Sequence, residues 1–369
     1  MGIPFLCLLS LFKGIKKRSG YRIENVLIIK IGGIGDTLLL IPILKAIKNT
    51  HEGVSLTVVC GSNNYEVLNR YQFIDNLKIL EISKIITRPF YFLEIMRDIN
   101  IKKYDTVIDF EPWSRISAIV SFFIMTGYKI GFKTKGEFKH LVFDSAIQHS
   151  SLCHEIENYT SLANSIGIKV TDTFIEFPID PSEEVSVEDL LKRELSLCDN
   201  FILFHPWASG YRWYLREWGI ENFISLAELL LREGYSIGIT GSESDEPKAQ
   251  KIVKAFLGNV FSFCGKFTLG QTAYLIKKSR LLITVNTGIM HLCAALNHPM
   301  IALHGPTNIL RWGPVGLSRG CNIVSNFDCA PCLNLGFEYK CNNGMCMNDI
   351  SVGAVSQKAH EILNGSRQN

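Results

Sequence analysis

Val285-Asn286-Thr287-Gly288-Ile289-Met290-His291-Leu292, followed by Pro299-Met300-Ile301-Ala302-Leu303-His304-Gly305-Pro306-Thr307, decides how this chain is read. The run predicts a buried strand over Leu281–Val285, a tight turn, a helix, a second buried strand and a Gly-Pro turn. Ile289, Leu292, Cys293 and Leu296 recur at helical spacing, so one helix face is apolar. Thr287 is placed to cap that helix, and Gly288 lets a ligand approach the backbone closely. The N–H groups at such a helix start attract phosphate. His291 lies one turn beyond Thr287 and faces the same side.

The same alternation extends outward. Upstream, Phe201–Phe204, Ser236–Thr240 and Val260–Phe263 are short apolar strands, separated by helical stretches over Ile220–Arg232, Glu246–Phe256 and Gln271–Lys278. Earlier still, Val26–Ile31, Leu56–Val59, Ile79–Ile82 and Thr106–Ile108 read as strands with helices between them. The helix after Val26–Ile31 contains Pro42, which should interrupt a hydrogen bond and bend the axis. The pattern predicts an α/β protein of two Rossmann-like, doubly wound domains in series, with a ligand cleft between them. Pro178–Glu184 has the composition of a linker. The expected segments are 1–22, an apolar then basic N-terminal stretch; 23–180, the first domain; 181–351, the second, with a cysteine-rich loop at 321–347; and 352–369, a helix and tail. That last helix, Val352–Leu363, is expected to pack back across the interface.

Composition excludes several classes. The chain has 369 residues, of which 47% are hydrophobic, 20% charged and 11% aromatic, a globular balance. A net charge of +3 gives no footprint for nucleic acid. Eleven cysteines in a chain of this size do not form a small secreted disulfide scaffold, and Cys7, Cys60, Cys153, Cys198, Cys264 and Cys293 are expected to be mostly buried thiols in a reducing compartment. Ile3–Phe12 is almost wholly apolar and is followed by Lys13, Lys16, Lys17 and Arg18. It is too short to span a bilayer, and its charges are on the wrong side for a secretory signal. Three readings stand: a segment in the headgroup region of a membrane with its basic residues on anionic lipid, a frayed and sticky terminus, or an extra helix packed on the body. The apolar run Ile116–Thr126 is expected to be a buried core helix.

Gly32-Gly33-Ile34-Gly35-Asp36 is a sharp loop after a strand, but it is not a dinucleotide turn. Leu38 stands where a third glycine belongs, and Val59-Cys60-Gly61 offers no carboxylate to a ribose. Asp36 instead occupies the helix start, where it serves as an N-cap, as a general base aimed into the cleft, or as both. A helix N-terminus favours the ionised carboxylate and weakens it as a base.

Lys30–Asp36 with the Pro42 helix, His205-Pro206-Trp207-Ala208-Ser209, Arg216-Glu217-Trp218, Gly241-Ser242-Glu243, Cys264–Leu269, Asn286–Leu292 and Arg311-Trp312-Gly313-Pro314 occur in the order seen in one family. The chain resembles glycosyltransferase family 9, the heptosyltransferases of lipopolysaccharide assembly, over roughly residues 25–350. The resemblance implies a GT-B type fold and inverting transfer from a nucleotide-activated sugar, typically ADP-heptose. It implies a lipid-linked saccharide acceptor and no catalytic cofactor or metal. The diphosphate leaving group must then be met by helix N–H groups and cations.

On that resemblance, Asp36 is the catalytic base. Ser209, Arg216, Thr240, Gly241, Ser242, Thr268, Leu269, Asn286, Thr287, Gly288 and His291 hold the donor. From spacing alone Arg216 reads as a solvated surface residue; it stands where the family often has Lys. Asn286 stands where many members carry Asp, keeping hydrogen bonds but losing a charge. Gly33, Gly35, Asp109, Glu111 and Arg115 are candidates for the acceptor side, with a surface ion pair as the alternative for the last three. His154 and Glu155 are explained by helix capping. Lys133, Lys135, Lys139 and His140 form a basic stretch that either meets an anionic acceptor or is a solvated loop. Cys329, Cys332, Cys341 and Cys346 could close a structural zinc site, or remain packed thiols or form a disulfide. Rival functions are a sugar-nucleotide epimerase or hydrolase, and a non-catalytic nucleotide-binding protein.

Overall fold

Val26, Leu27, Ile28 and Ile29 are apolar without a break, so the strand they form must be covered on both faces. In the structure, a computed structural model describing residues 2–13, 23–195, 200–334 and 338–365, these four are fully buried in β1 (Asn25–Lys30). The same sheet contains β2 (Ser55–Cys60), β3 (Asn76–Ile79), β4 (Tyr104–Asp109), β5 (Thr126–Lys133) and β6 (Ser145–Gln148). Its order is β3-β2-β1-β4-β5-β6, with every pairing parallel. The second sheet contains β7 (Phe201–His205), β8 (Ser236–Ile239), β9 (Val260–Ser262), β10 (Leu281–Val285), β11 (Met300–His304) and β12 (Gly320–Val324). Its order, β12-β11-β10-β7-β8-β9, is again all parallel.

Counted from each sheet's own first strand, the two orders are identical. β1 lies beside β4, and β7 lies beside β10. At these pairs the crossovers leave in opposite directions, which opens a crevice beyond the strands' C-terminal ends. The two doubly wound sheets match the expected α/β class. The chain divides into two compact units, Met1–Thr173 and Phe174–Asn369.

Several expected elements differ. The linker composition at 178–184 is in part a helix start. Asp180 accepts the N–H of Ser182 at 2.8 Å, and its own N–H donates to Glu183 at 3.0 Å, opening helix Pro181–Leu195. Helix Ile34–Lys48 does carry Pro42 inside it, as expected. The expected strand Ile79–Ile82 begins earlier, at Asn76, and Ile82 opens a helix instead. β5, β6 and β12 were not expected. Two glycines and two lysines interrupt the apolar pattern of β5, and Gly131 is needed there because a Cβ would sit 2.5 Å from the Phe143 ring. The helix predicted over Ile116–Thr126 spans Arg115–Phe123. The C-terminal helix, Val352–Gly365, buries Val355, Ala359 and Leu363 in the second unit's own core, against β11, β12 and helix Ile220–Arg232, rather than being recruited elsewhere.

The N-terminal stretch forms helix Ile3–Leu11, with Leu6 and Leu9 packed on Ala118, Val142 and Phe143. Lys16, Lys17, Arg18 and Cys198 lie outside the described residues. Among the described residues no helix is long and apolar enough to cross a membrane. Cys60, Cys264 and Cys293 are buried thiols as expected, whereas Cys7 is exposed and Cys153 half-buried.

Gly61 links this packing to the first crevice. A Cβ there would lie 2.4 Å from the backbone oxygen of Ile31. Gly61→Ala should therefore lose about 1–3 kcal/mol by overpacking. Gly32→Ala, whose Cβ meets nothing within 4 Å, should be near neutral. Urea denaturation of the two variants checks the contrast.

Candidate active site

β1 ends on Lys30, whose side chain is 1% exposed. A buried ammonium requires anionic partners. Its Nζ lies 3.2 Å from Glu111 Oε1 and 3.5 Å from Asp36 Oδ2. Glu111 follows the end of β4, on the neighbouring strand. The same Oε1 accepts the N–H of Ile31 at 2.6 Å and of Gly32 at 2.8 Å. One carboxylate oxygen thus holds the lysine and the turn after β1. Gly33 then adopts φ +77°, and a Cβ there would lie 2.7 Å from Asp36 Oδ2. Glycine is required both for the turn and for the room the carboxylate occupies.

The N-cap of the following helix is Gly33, not Asp36. Asp36 sits in the first helical turn, after the buried Gly35, with a quarter of its side chain exposed. Burial pushes its carboxyl up to about 6; Lys30 pulls down against this, and Glu155 and Glu111 add to the rise. The helix start alone would favour the ionised carboxylate, but burial turns the net shift upward. Burial alone would raise Glu111, but Lys30 and the Gly32 and Ile31 N–H groups hold it below the usual range. Burial alone would lower Lys30, but Glu111 and Asp36 keep it raised.

A second buried pair lies behind the first. Asp109, at the end of β4, accepts the Glu111 N–H at 2.9 Å and the Ser117 hydroxyl at 2.7 Å. Lys139 Nζ lies 3.2 Å from its Oδ2 and also donates to the Glu111 backbone oxygen. Burial raises Asp109 and lowers Lys139. Two expectations are corrected here. Asp109 and Glu111 are neither a surface ion pair nor open to an acceptor, since both are sealed and their oxygens are engaged internally. Lys139 is not in a solvated loop; it is fully buried. Arg115 is separate from this network, half-buried with Nε 2.9 Å from Glu137. His154 caps its helix as expected, accepting the Ile156 N–H at 3.3 Å, but Glu155 is buried with its carboxylate 3.2 Å from His149. Sequence reasoning missed Lys30 and Lys139 as members of one network, because their partners lie 81 and 30 residues away along the chain; Glu155 is held locally by His149 and Asn158.

In the second unit the expected helix start is present. Thr287 accepts the Ile289 N–H at 3.2 Å and opens helix Gly288–Ala295. Thr287 and Gly288 are half-buried, and His291 is buried one turn on. Asn286 turns inward: its Nδ2 donates to the Trp312 backbone oxygen at 3.0 Å and lies 3.5 Å from His304 Nδ1. A carboxylate there would face that carbonyl, so the amide suits this chain. Burial pulls His304 down to about 4, which keeps it neutral near pH 7.

The strap after β7 folds on itself. An Arg216 Nη donates to the Ser209 backbone oxygen, which brings those two candidates together. Glu217 accepts the Ala208 N–H at 3.2 Å and the Lys248 ammonium at 3.0 Å. Lys248 in turn lies 4.5 Å from the Trp207 ring centre and 4.3 Å from that of Trp213. Thr240 is buried beyond the end of β8. Gly241 is required by packing, since a Cβ would be 2.5 Å from the Trp207 indole. The hydroxyls of Ser242 and Thr268 are engaged in capping boxes with Asp245 and Gln271, and Leu269 begins the helix Thr268 caps. Cys329, Cys332, Cys341 and Cys346 are free thiols. Burial, then the three neighbouring thiols, raise Cys346 to about 11. Among the described residues no group of three or more His, Cys, Asp or Glu is arranged to hold a metal, so the zinc reading gains no support.

The model of glycosyltransferase family 9 (heptosyltransferase) matches residues 92–342. A lipooligosaccharide heptosyltransferase 2 from Haemophilus influenzae is 28% identical over 219 residues, 56% of this chain. That match covers 62% of the relative, less than two thirds of its length. A lipooligosaccharide heptosyltransferase 2 from Haemophilus ducreyi is 24% identical over 336 residues, 87% of each chain. The solved structure of E. coli ADP-heptose lps heptosyltransferase II superposes with a TM-score of 0.74 at 19% identity, over 93% of this chain and 99% of that one. At this identity the likeness establishes the fold, which is of the GT-B type.

Lys30 is the one cation pulling Asp36 down among the causes of its shift. Lys30→Met should therefore move the Asp36 titration upward from about 6, by roughly one unit or more. Carboxyl-carbon NMR titration of both proteins measures this, and an unchanged midpoint would separate Lys30 from Asp36.

Proposed function

The chain belongs to glycosyltransferase family 9, and from that premise we propose that it moves a sugar, heptose from ADP-heptose, to a lipid-linked saccharide such as lipopolysaccharide core. The names of the relatives support the acceptor class, and the name of the E. coli ADP-heptose lps heptosyltransferase II supports the donor. The transfer is inverting and independent of a catalytic metal, and it takes place at the inner face of the cytoplasmic membrane.

The observation that carries the reading is the Asp36 carboxylate, fixed by Lys30 beyond the end of β1 and raised to about 6. The acceptor hydroxyl attacks the anomeric carbon of the donor. A C–O bond forms as the bond to the nucleoside diphosphate breaks, and the hydroxyl proton passes to Asp36. Asp109, Glu111, Lys30 and Lys139 position this base without touching substrate. Gly33 and Gly35 keep the helix start open around it, and Arg115 is left as the acceptor-side cation.

In the second unit, the N–H groups beginning helix Gly288–Ala295 and the Arg216 guanidinium receive the departing diphosphate. Thr287 and His291 shape that helix start. Ser209, Thr240, Gly241, Ser242, Thr268 and Leu269 contribute backbone and shape around the nucleotide, while Asn286 holds the Trp312 loop in place.

A donor panel tests this. Purified protein is given ADP-heptose and several UDP-, GDP- and dTDP-sugars, with and without a lipid-linked core acceptor, and diphosphate release is read. Acceptor-dependent release from ADP-heptose is expected; release that ignores the acceptor would point to an epimerase or hydrolase instead. Asp36→Asn should lower kcat by about 10²–10⁴ with donor KM nearly unchanged. The active form of Asp36 is the carboxylate, so kcat/KM should climb with pH through about 6 and level off above it. Near-normal turnover by folded Asp36→Asn would overturn its role.

A further inference from the structure

Helix Ile3–Leu11 contains no charged residue and is apolar on both sides. Leu6 and Leu9 face the body, while Phe5, Leu8, Leu11 and Phe12 are 42%, 50%, 79% and 72% exposed. Phe5, Leu8 and Phe12 recur at i, i+3 and i+7, so they share one outer stripe. A helix that only completes a core presents polar residues outward. A contiguous exposed apolar stripe marks a contact surface.

The exposed charges beside the stripe, Lys133 and Lys135, are basic. Lys13, just past the helix, donates to the Phe143 backbone oxygen. The helix packs on the turn Lys139–Val142, which carries His140. His140, Phe138 and the exposed Lys133 and Lys135 line an open cavity of about 280 Å³. Burial, Lys133 and Lys13 together pull His140 below its usual value, which places both lysines in its neighbourhood. Glu137 is held by Arg115, and Asp144 accepts the Lys129 N–H at 2.8 Å. Neither Lys133 nor Lys135 has an acidic partner among the described residues.

We propose that this face docks the protein on an anionic membrane surface, with Phe5, Leu8, Leu11 and Phe12 entering the boundary between headgroups and acyl chains while Lys13, Lys133 and Lys135 meet lipid phosphates. The proposal deepens the lipid-linked acceptor reading and rests on it for its purpose. Apolar insertion and cationic attraction add, as for interfacial helices in general. A second copy of the chain would bring a like row of lysines against this one, which disfavours it as the occupant.

The test is flotation of the full chain with mixed phosphatidylcholine–phosphatidylglycerol vesicles and with pure phosphatidylcholine vesicles. The protein should float with the mixed vesicles, and salt should weaken the binding. Leu8→Asp with Phe12→Asp should weaken binding by about tenfold or more. Lys133→Glu with Lys135→Glu should weaken it by about fivefold or more per lysine, on the mixed vesicles alone. All four positions are exposed, so folding should survive, and circular dichroism checks it. Absent binding, or binding untouched by both pairs, would overturn the proposal. So would light scattering that shows Leu8→Asp with Phe12→Asp turning a dimer into a monomer. Flotation needs neither donor nor acceptor, so its failure leaves the transfer reading intact, and a failed transfer assay leaves the docking face intact.

Discussion

An ammonium group sealed beneath the end of β1 is the constraint from which the first unit's site follows. Lys30 cannot stay charged there without an anion, and Glu111, two residues past the end of the adjacent β4, supplies it. The β1–β4 register pairs Ile29 with Asp109, which puts Glu111 level with the turn leaving β1. Because Glu111 Oε1 also takes the Ile31 and Gly32 N–H groups, the ion pair and the turn are one object. The turn sets Gly33 at positive φ, Gly33 opens the helix, and the helix carries Asp36 back to within 3.5 Å of Lys30. Lys139 repeats the device one step deeper, bracing Asp109 and the Glu111 backbone.

What was legible in the sequence follows from how local each signal is. β1, β10 and β11 are covered on both faces and so read as unbroken apolar runs. The Thr287 cap lies two residues from its partner, and its spacing alone announced it. β5 hid because Gly131 answers to the Phe143 ring, Gly127 to the Asp105 backbone oxygen and Lys129 to the Phe122 carbonyl rather than to a period of two. The Lys30–Glu111 contact spans 81 residues and depends on a strand order no local pattern carries. For the same reason Asp109 and Lys139, 30 residues apart, read as acceptor contacts or surface charges rather than as a buried pair. Asn286 looked like a lost charge until the Trp312 carbonyl appeared opposite its amide.

Both units use one strand order, yet their crevices hold different chemistry, because the order places loops but does not choose their residues. Beyond β1 and β4 stands a braced group of two lysines and three carboxylates. Beyond β7 and β10 stand a capped helix start and a strap closed by Arg216 on Ser209. The first arrangement suits moving a proton; the second suits receiving an anion.

Of the three carboxylates in the first group, Asp36 alone has an open side. Glu111 and Asp109 each accept backbone or hydroxyl donors and are sealed. Asp36 has a quarter of its side chain exposed and its attraction to Lys30. Burial pushes its carboxyl up, and Lys30 pulls it down against that rise. Complete exposure would return it to the ordinary aspartate range, where its hold on a proton is weak. Partial burial against one fixed cation puts it at about 6, a value that suits the proton-accepting role proposed for it. The lysine beneath β1 therefore does two things through one contact: it fixes where Asp36 stands, and it pulls the Asp36 carboxyl down against the rise that burial causes.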